Sequence, residues 1–167
     1  MEKDKLNKKK LQLLISESIK KVLKEYKTLD VINFKNHILE VRNYDMSIND
    51  DKEFIVKHKK EIWNILENGY EKLGGFHGFQ GKSDMIKKTP LFRLGYCDGE
   101  LVTVTVYNDY LGGLKCVSAT CVKDEKHTLA VKLLDMIIRY NIIHWDEWFW
   151  IEASGKIEEM CKKKQWF

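Results

Sequence analysis

The chain has 167 residues, of which 44% are apolar, enough for one packed core and too little for two full domains. Its formal charge of +4 is concentrated at the amino terminus, where nine lysines stand against Glu2, Asp4, Glu17 and Glu25 within the first 27 residues. The remainder is close to neutral, which disfavours a nucleic-acid reader with a basic fold surface.

In chain order, Leu6 to Tyr26 is predicted as an amphipathic helix. Leu11, Leu14, Ile15, Ile19, Val22, Leu23 and Tyr26 recur at three- and four-residue steps, with lysines on the other face. Residues 27 to 37 read as a connector, and Ile38–Tyr44 as a strand by its Ile, Val and Tyr content. Asn49, Asp50 and Asp51 supply helix-start chemistry for a helix from Lys52 to Leu73 that buries Phe54, Ile55, Ile62, Trp63, Leu66 and Tyr70 and stops at Gly74-Gly75. Phe76–Pro90 reads as a glycine-rich loop with one helical turn at Ser83–Lys87, and it matches neither the P-loop nor the dinucleotide fingerprint. Leu91–Tyr96 and Glu100–Tyr107 form a predicted hairpin, because Asp98-Gly99 supplies the positive φ of a tight turn. A third strand is expected over Lys115–Val122 after Leu111-Gly112-Gly113. A helix follows over Thr128–His144, with Leu129, Leu133, Leu134, Ile137, Ile138 and Ile142 inward, then a strand at Asp146–Ala153 and a last helix at Lys156–Lys164.

This order predicts an α/β fold of the α+β type: a mixed, mostly antiparallel sheet flanked by helices. Residues 1–30 form an amino-terminal basic amphipathic helix and 31–167 the main domain. Cys97, Cys116, Cys121 and Cys161 contain no C-x-x-C pair. No apolar run approaches the roughly 20 residues of a membrane span, and the charged start has no signal-peptide core. A cytoplasmic setting without a membrane is expected. His37, His58, His77, His127 and His144 show no metal-site spacing, so no metal is expected.

Two stretches carry a family resemblance. Val117–Leu134, VSATCVKDEKHTLAVKLL, and Trp150–Trp166, WIEASGKIEEMCKKKQW, resemble the GCN5-related N-acetyltransferases, and the likeness runs from about Ile38 to Trp166. In that family the fourth strand ends in valine. An Arg/Gln-x-x-Gly-x-Gly/Ala loop then opens the next helix, whose amides take the CoA pyrophosphate. The corresponding string here is Glu125-Lys126-His127-Thr128-Leu129-Ala130. Thr128 and Ala130 stand at the small positions, and Glu125 stands where Arg or Gln is usual. The resemblance implies an acetyl-CoA co-substrate held by Thr120, Cys121, Val122, Lys123, Lys126, His127, Thr128, Leu129, Ala130 and Ser154. Free strand amides near Thr120–Val122 would hold the pantetheine and the thioester carbonyl. Lys123, Lys126 and His127 would offset the charge of Glu125.

In the second stretch Ser154 falls at the family's asparagine. Cys161 falls at the tyrosine that protonates departing CoA thiolate in many relatives, which makes it the candidate acid. Glu152, in an aromatic strand, is the leading candidate base and Asp109 the next. The family also adds two strands after the last helix, beyond the position of Phe167. Without them the acceptor side would be open to a large amine, or covered by the amino-terminal segment or a second subunit.

The implied function is acyl-CoA-dependent N-acyl transfer to an amine of unknown identity, on a small or a macromolecular acceptor. Two alternatives stand beside it: a non-catalytic structural or interaction protein that keeps the fold, and an acyltransferase acting on a nucleic-acid base, with the basic arm on phosphate. Residues 6–26 are expected to pack on the domain, on a second copy or on a partner protein. The run LQLLISESIKKVLKEY, Leu11–Tyr26, is similar to the short leaders of many tailed-phage proteins. That likeness implies a phage origin and either host cytoplasm or virion as the location.

Overall fold

The computed structural model describes residues 28–70, 78–110, 113–144 and 149–151. The helices expected at 6–26 and 156–164, the Gly74-Gly75 stop, and Glu152, Ser154 and Cys161 lie outside these residues. The described elements are β1 (Thr28–Phe34), β2 (His37–Asp45), α1 (Asn49–Tyr70), α2 (Lys82–Lys88), β3 (Leu91–Cys97), β4 (Glu100–Tyr110), β5 (Gly113–Cys121), α3 (His127–His144) and β6 (Phe149–Ile151). The six strands form one sheet in the order of the sequence. Neighbours from β1 to β5 are antiparallel, and β5 and β6 are parallel. A parallel pair needs a crossover, which α3 provides. The fold is α+β, a mixed sheet with helices, as the pattern of elements predicts.

Two tight turns set the sheet's register. Asp98 and Gly99 both have positive φ, 51° and 85°, as the Asp-Gly step requires between β3 and β4. Lys35 and Asn36, at 50° and 65°, make the same kind of turn between β1 and β2. Residues 28–34 are therefore a strand and not the expected connector. Their burial is patchy, with Val31 52% exposed, so this edge strand lacks the clean apolar alternation that marks a half-buried one. The stretch before β3 likewise holds a seven-residue helix, α2, where a single turn was expected.

The sheet is covered on both faces. Phe92, Leu94, Tyr96, Leu101, Val104 and Val106 face Ile55, Ile62, Trp63 and Leu66 of α1 and Met85 of α2. On the other face Leu39, Val41, Cys97, Val102 and Cys121 pack under Leu129, Ala130, Leu133, Met136 and Ile137 of α3. A bulge in β4 sets Gly95 opposite Thr103 and Tyr96 opposite Leu101, so Val102 and Thr103 turn successively toward α3. Thr103 Oγ1 then donates to the Ala130 carbonyl at 2.9 Å. A Cβ on Gly95 would lie 2.9 Å from Thr103 Cβ and 3.1 Å from Leu133 Cβ, so only glycine admits α3 this close.

Of the expected helix-start residues, Asn49 opens α1, but Asp51 has another task. Its buried carboxylate accepts the Asp45 amide at 2.9 Å and so ties α1 to the end of β2. No described helix is long and apolar enough to cross a membrane.

The far end of α1 is fixed to β5 and the turn after it by three contacts. A Cβ on Gly69 would fall 1.7 Å from Thr120 Oγ1 and 2.7 Å from Thr120 Cβ. The Ala119 amide donates to Tyr70 Oη at 3.3 Å. Lys123 Nζ donates to the carbonyls of Asn68 and Gly69 at 3.2 and 3.0 Å, a cation at a helix C-terminus. We expect Gly69→Ala to cost about 1–3 kcal/mol by overpacking, read as a lower urea midpoint. Adding Thr120→Ala should recover part of the loss, because Oγ1 goes while Cβ stays.

Candidate functional site

The sequence-assigned cofactor residues between Thr120 and Ala130 lie where β5 ends, turns and opens α3. The turn is organised by Asp124. Its carboxylate accepts the Lys126 amide at 2.9 Å and its carbonyl accepts the His127 amide at 3.0 Å. The Ala130 amide enters the helical ladder by donating to the Lys126 carbonyl at 2.9 Å. Between them, the amides of Thr128 and Leu129 meet no acceptor among the described residues. Thr128 is exposed, while the Leu129 side chain packs into the α3 face of the core. Two adjacent donors at the positive end of α3 thus remain available to an anion.

The strand before the turn presents a second, smaller set of donors. In an antiparallel ladder successive amides alternate between facing the partner strand and facing away. The Val122 amide is spent on the Val102 carbonyl at 2.9 Å. Thr103 opposes Cys121 and Thr105 opposes Ala119, so the outward amides are those of Ala119 and Cys121. Val122 and Thr120 are therefore not free donors, contrary to the expectation for Thr120–Val122. The reason is the phase of the β4 ladder, which residue types do not reveal. Ala119 spends its outward amide on Tyr70, and Cys121 has no acceptor among the described residues. A bulge precedes them, with Val106 opposite Ser118 and Tyr107 opposite Cys116, leaving Val117 as the extra residue. The described pairing of β5 with β6 covers Leu114, Lys115 and Cys116, all before that bulge.

The charges expected to offset Glu125 are engaged elsewhere. Lys123 caps α1, and Lys126 pairs with Glu100 on β4. His127 Nδ1 lies 2.8 Å from the Val122 carbonyl. A carbonyl only accepts, so Nδ1 carries the hydrogen and Nε2 is the ring's remaining nitrogen. The same Nδ1 is 3.8 Å from Cys121 Sγ, but a protonated nitrogen takes no proton from the thiol. Burial pushes Cys121 up to about 11 and Cys116 up to about 12, so neither is an activated nucleophile. Glu125 is exposed.

Asp109 is exposed and opposes Leu114 at the start of β5, the end remote from the α3 turn. An open recess of about 400 Å³, lined by Trp63, Gln80, Gly81, Lys82, Ser83 and Asp84, is separate from the β5–α3 turn. The apolar pattern of α1 predicts Tyr70 as a core residue. Its hydroxyl instead reaches the outward edge of β5, and only the α1–β5 packing places it there. A second group, His37, Cys97 and Asp98, gathers at the tips of the two hairpins; His37 is 60 residues from Cys97, so spacing along the chain gave no signal. No family model matches the chain, and no curated protein matches its sequence.

The raised thiols link stability to pH. A thiol that stays neutral in the fold but ionises at its ordinary 9.0 when unfolded contributes stability present below pH 9.0 and lost as pH rises through the folded value. Urea midpoints should fall between pH 9 and about 11 to 12, and the slope should be shallower in Cys116→Ala and Cys121→Ala. A parent and variants with parallel profiles would exclude the thiols as the cause.

Proposed function

We propose that the chain is an acyl-CoA-dependent N-acyltransferase of the GCN5-related type, transferring acetyl from acetyl-CoA to an amine. The observation that carries this is the pair of open amides at Thr128 and Leu129 on a helix that follows directly from β5. A pyrophosphate suits such donors, since the helix end is positive and the N–H groups would otherwise go unmet. The order of elements supports it: antiparallel strands, then one parallel pair bridged by α3. The outward Cys121 amide is a donor for the pantetheine arm or the thioester oxygen.

In the reaction, an uncharged amine attacks the thioester carbonyl carbon. The C–N bond forms, the C–S bond breaks, and CoA leaves as thiolate that must gain a proton. Glu152 is the candidate base by its place in the strand expected beside β5, and Cys161, at the position of the family's tyrosine, is the candidate acid. Tyr70 is an additional hydroxyl at the outward edge of β5, where Ala119 donates to it.

The occupied state of Lys123 and Lys126 favours the second reading, a non-catalytic chain that keeps the architecture. The two part company at binding. Calorimetric titration with acetyl-CoA should give saturable binding. Glu125→Gln should tighten it about fivefold, because removing one like charge near a pyrophosphate is worth about 1 kcal/mol in a solvated setting. Absence of heat at millimolar acetyl-CoA, with the fold intact by circular dichroism, rejects the transferase.

A further inference from the structure

We propose that His37, Cys97 and Asp98 form a binding site for a borderline-soft divalent metal such as zinc, independent of the β5–α3 turn. His37 opens β2, Cys97 closes β3 and Asp98 is the first residue of the next turn. The two hairpin tips are bonded to each other through their backbones. Asp98 N donates to the Ile38 carbonyl at 2.9 Å, and Ile38 N donates to Asp98 Oδ1 at 2.9 Å. The β2–β3 ladder, with Leu39 opposite Cys97, continues this pairing. The three donor side chains therefore hang from rigid backbone.

Their donor atoms converge. Asp98 Oδ2 is 2.7 Å from His37 Nδ1 and 3.9 Å from Cys97 Sγ, and a ring nitrogen of His37, Cys97 Sγ and a carboxylate oxygen of Asp98 lie within 4.8 Å of one another. Tetrahedral zinc, with metal–ligand bonds of about 2.0–2.3 Å, places its donors roughly 3.3–3.6 Å apart. Accommodating the ion takes a widening of the His37–Asp98 gap and a slight closing of the Cys97–Asp98 one. The burial gradient also suits an ion entering from solvent. Cys97 is fully buried as the floor, and the side chains of His37 and Asp98, 42% and 49% exposed, form the rim. Asp98 Oδ1 is held by Ile38, leaving Oδ2 for the ion.

One thiolate, one imidazole and one carboxylate select zinc, cobalt(II) or copper over magnesium or calcium, which prefer all-oxygen shells. Three protein ligands leave a fourth position for water. On binding, the Cys97 S–H bond breaks, its proton leaves to solvent and a sulfur–metal bond forms, with no change of oxidation state. The competing account is a simple clip between hairpins, in which the His37–Asp98 pair and the Ile38 bond need no ion.

Cobalt(II) titration of the full chain separates the two accounts. A metal site predicts one cobalt per chain with a thiolate-to-cobalt charge-transfer band and tetrahedral visible bands, both removed by added zinc. Asp98→Asn keeps an oxygen for the Ile38 amide and tolerates the positive φ, and His37→Ala alters a half-exposed side chain. Both variants should fold, by circular dichroism, and bind cobalt at least about tenfold more weakly. Absence of the charge-transfer band in the parent chain, or equal binding by folded His37→Ala and Asp98→Asn, overturns the proposal.

Discussion

The close approach of α1 to β5 at Gly69 governs the candidate site. A glycine there lets the helix end rest on Thr120 with no space for a Cβ. That contact brings Asn68 and Gly69 within reach of Lys123, whose ammonium meets their carbonyls. It also brings Tyr70 to the Ala119 amide. The end of β5 is thus held by β4 along one edge and by α1 across one face. The turn into α3 starts from a strand that has little freedom to move.

The same constraint explains how the donors are divided. The ladder with β4 takes the Val122 amide and the Asp124 turn takes those of Lys126 and His127. Cys121, Thr128 and Leu129 are left with open amides among the described residues. The lysines of this segment serve the fold: one caps α1 and the other pairs with Glu100. An anion at the α3 start would therefore be held by backbone dipoles more than by side-chain charge. The exposed Glu125 sets the electrostatic cost of placing it there.

Much of this architecture was legible in the residues. Asp98-Gly99 announces its hairpin because few other steps accept two positive φ values. The β-branched run of β4 and the three- and four-residue steps of α3 announce themselves by periodicity, and five of the six residues expected inward on α3 are buried; the side chain of the sixth, Ile142, lies outside the described ones. β1 was not legible, because a patchily buried edge strand has no alternation to read and Lys35-Asn36 is an uncommon pair for its turn. The location of the β5–α3 turn was readable, but the phase of its amides was not. That phase depends on the bulge at Val117 and on which β4 carbonyl each amide meets. Tyr70 and the His37, Cys97 and Asp98 group were invisible for a related reason. Each is assembled by pairings between distant segments, and no local pattern encodes them.

The proposed acyl-CoA site is one anion- and thioester-binding surface made of backbone amides at the end of β5 and the start of α3. Amide nuclear magnetic resonance during addition of acetyl-CoA tests it directly. The account predicts that the largest shift changes fall on Cys121, Thr128 and Leu129, with Ala119 responding as Tyr70 adjusts. Changes centred on α2 or the hairpin tips, with those four amides still, would contradict it.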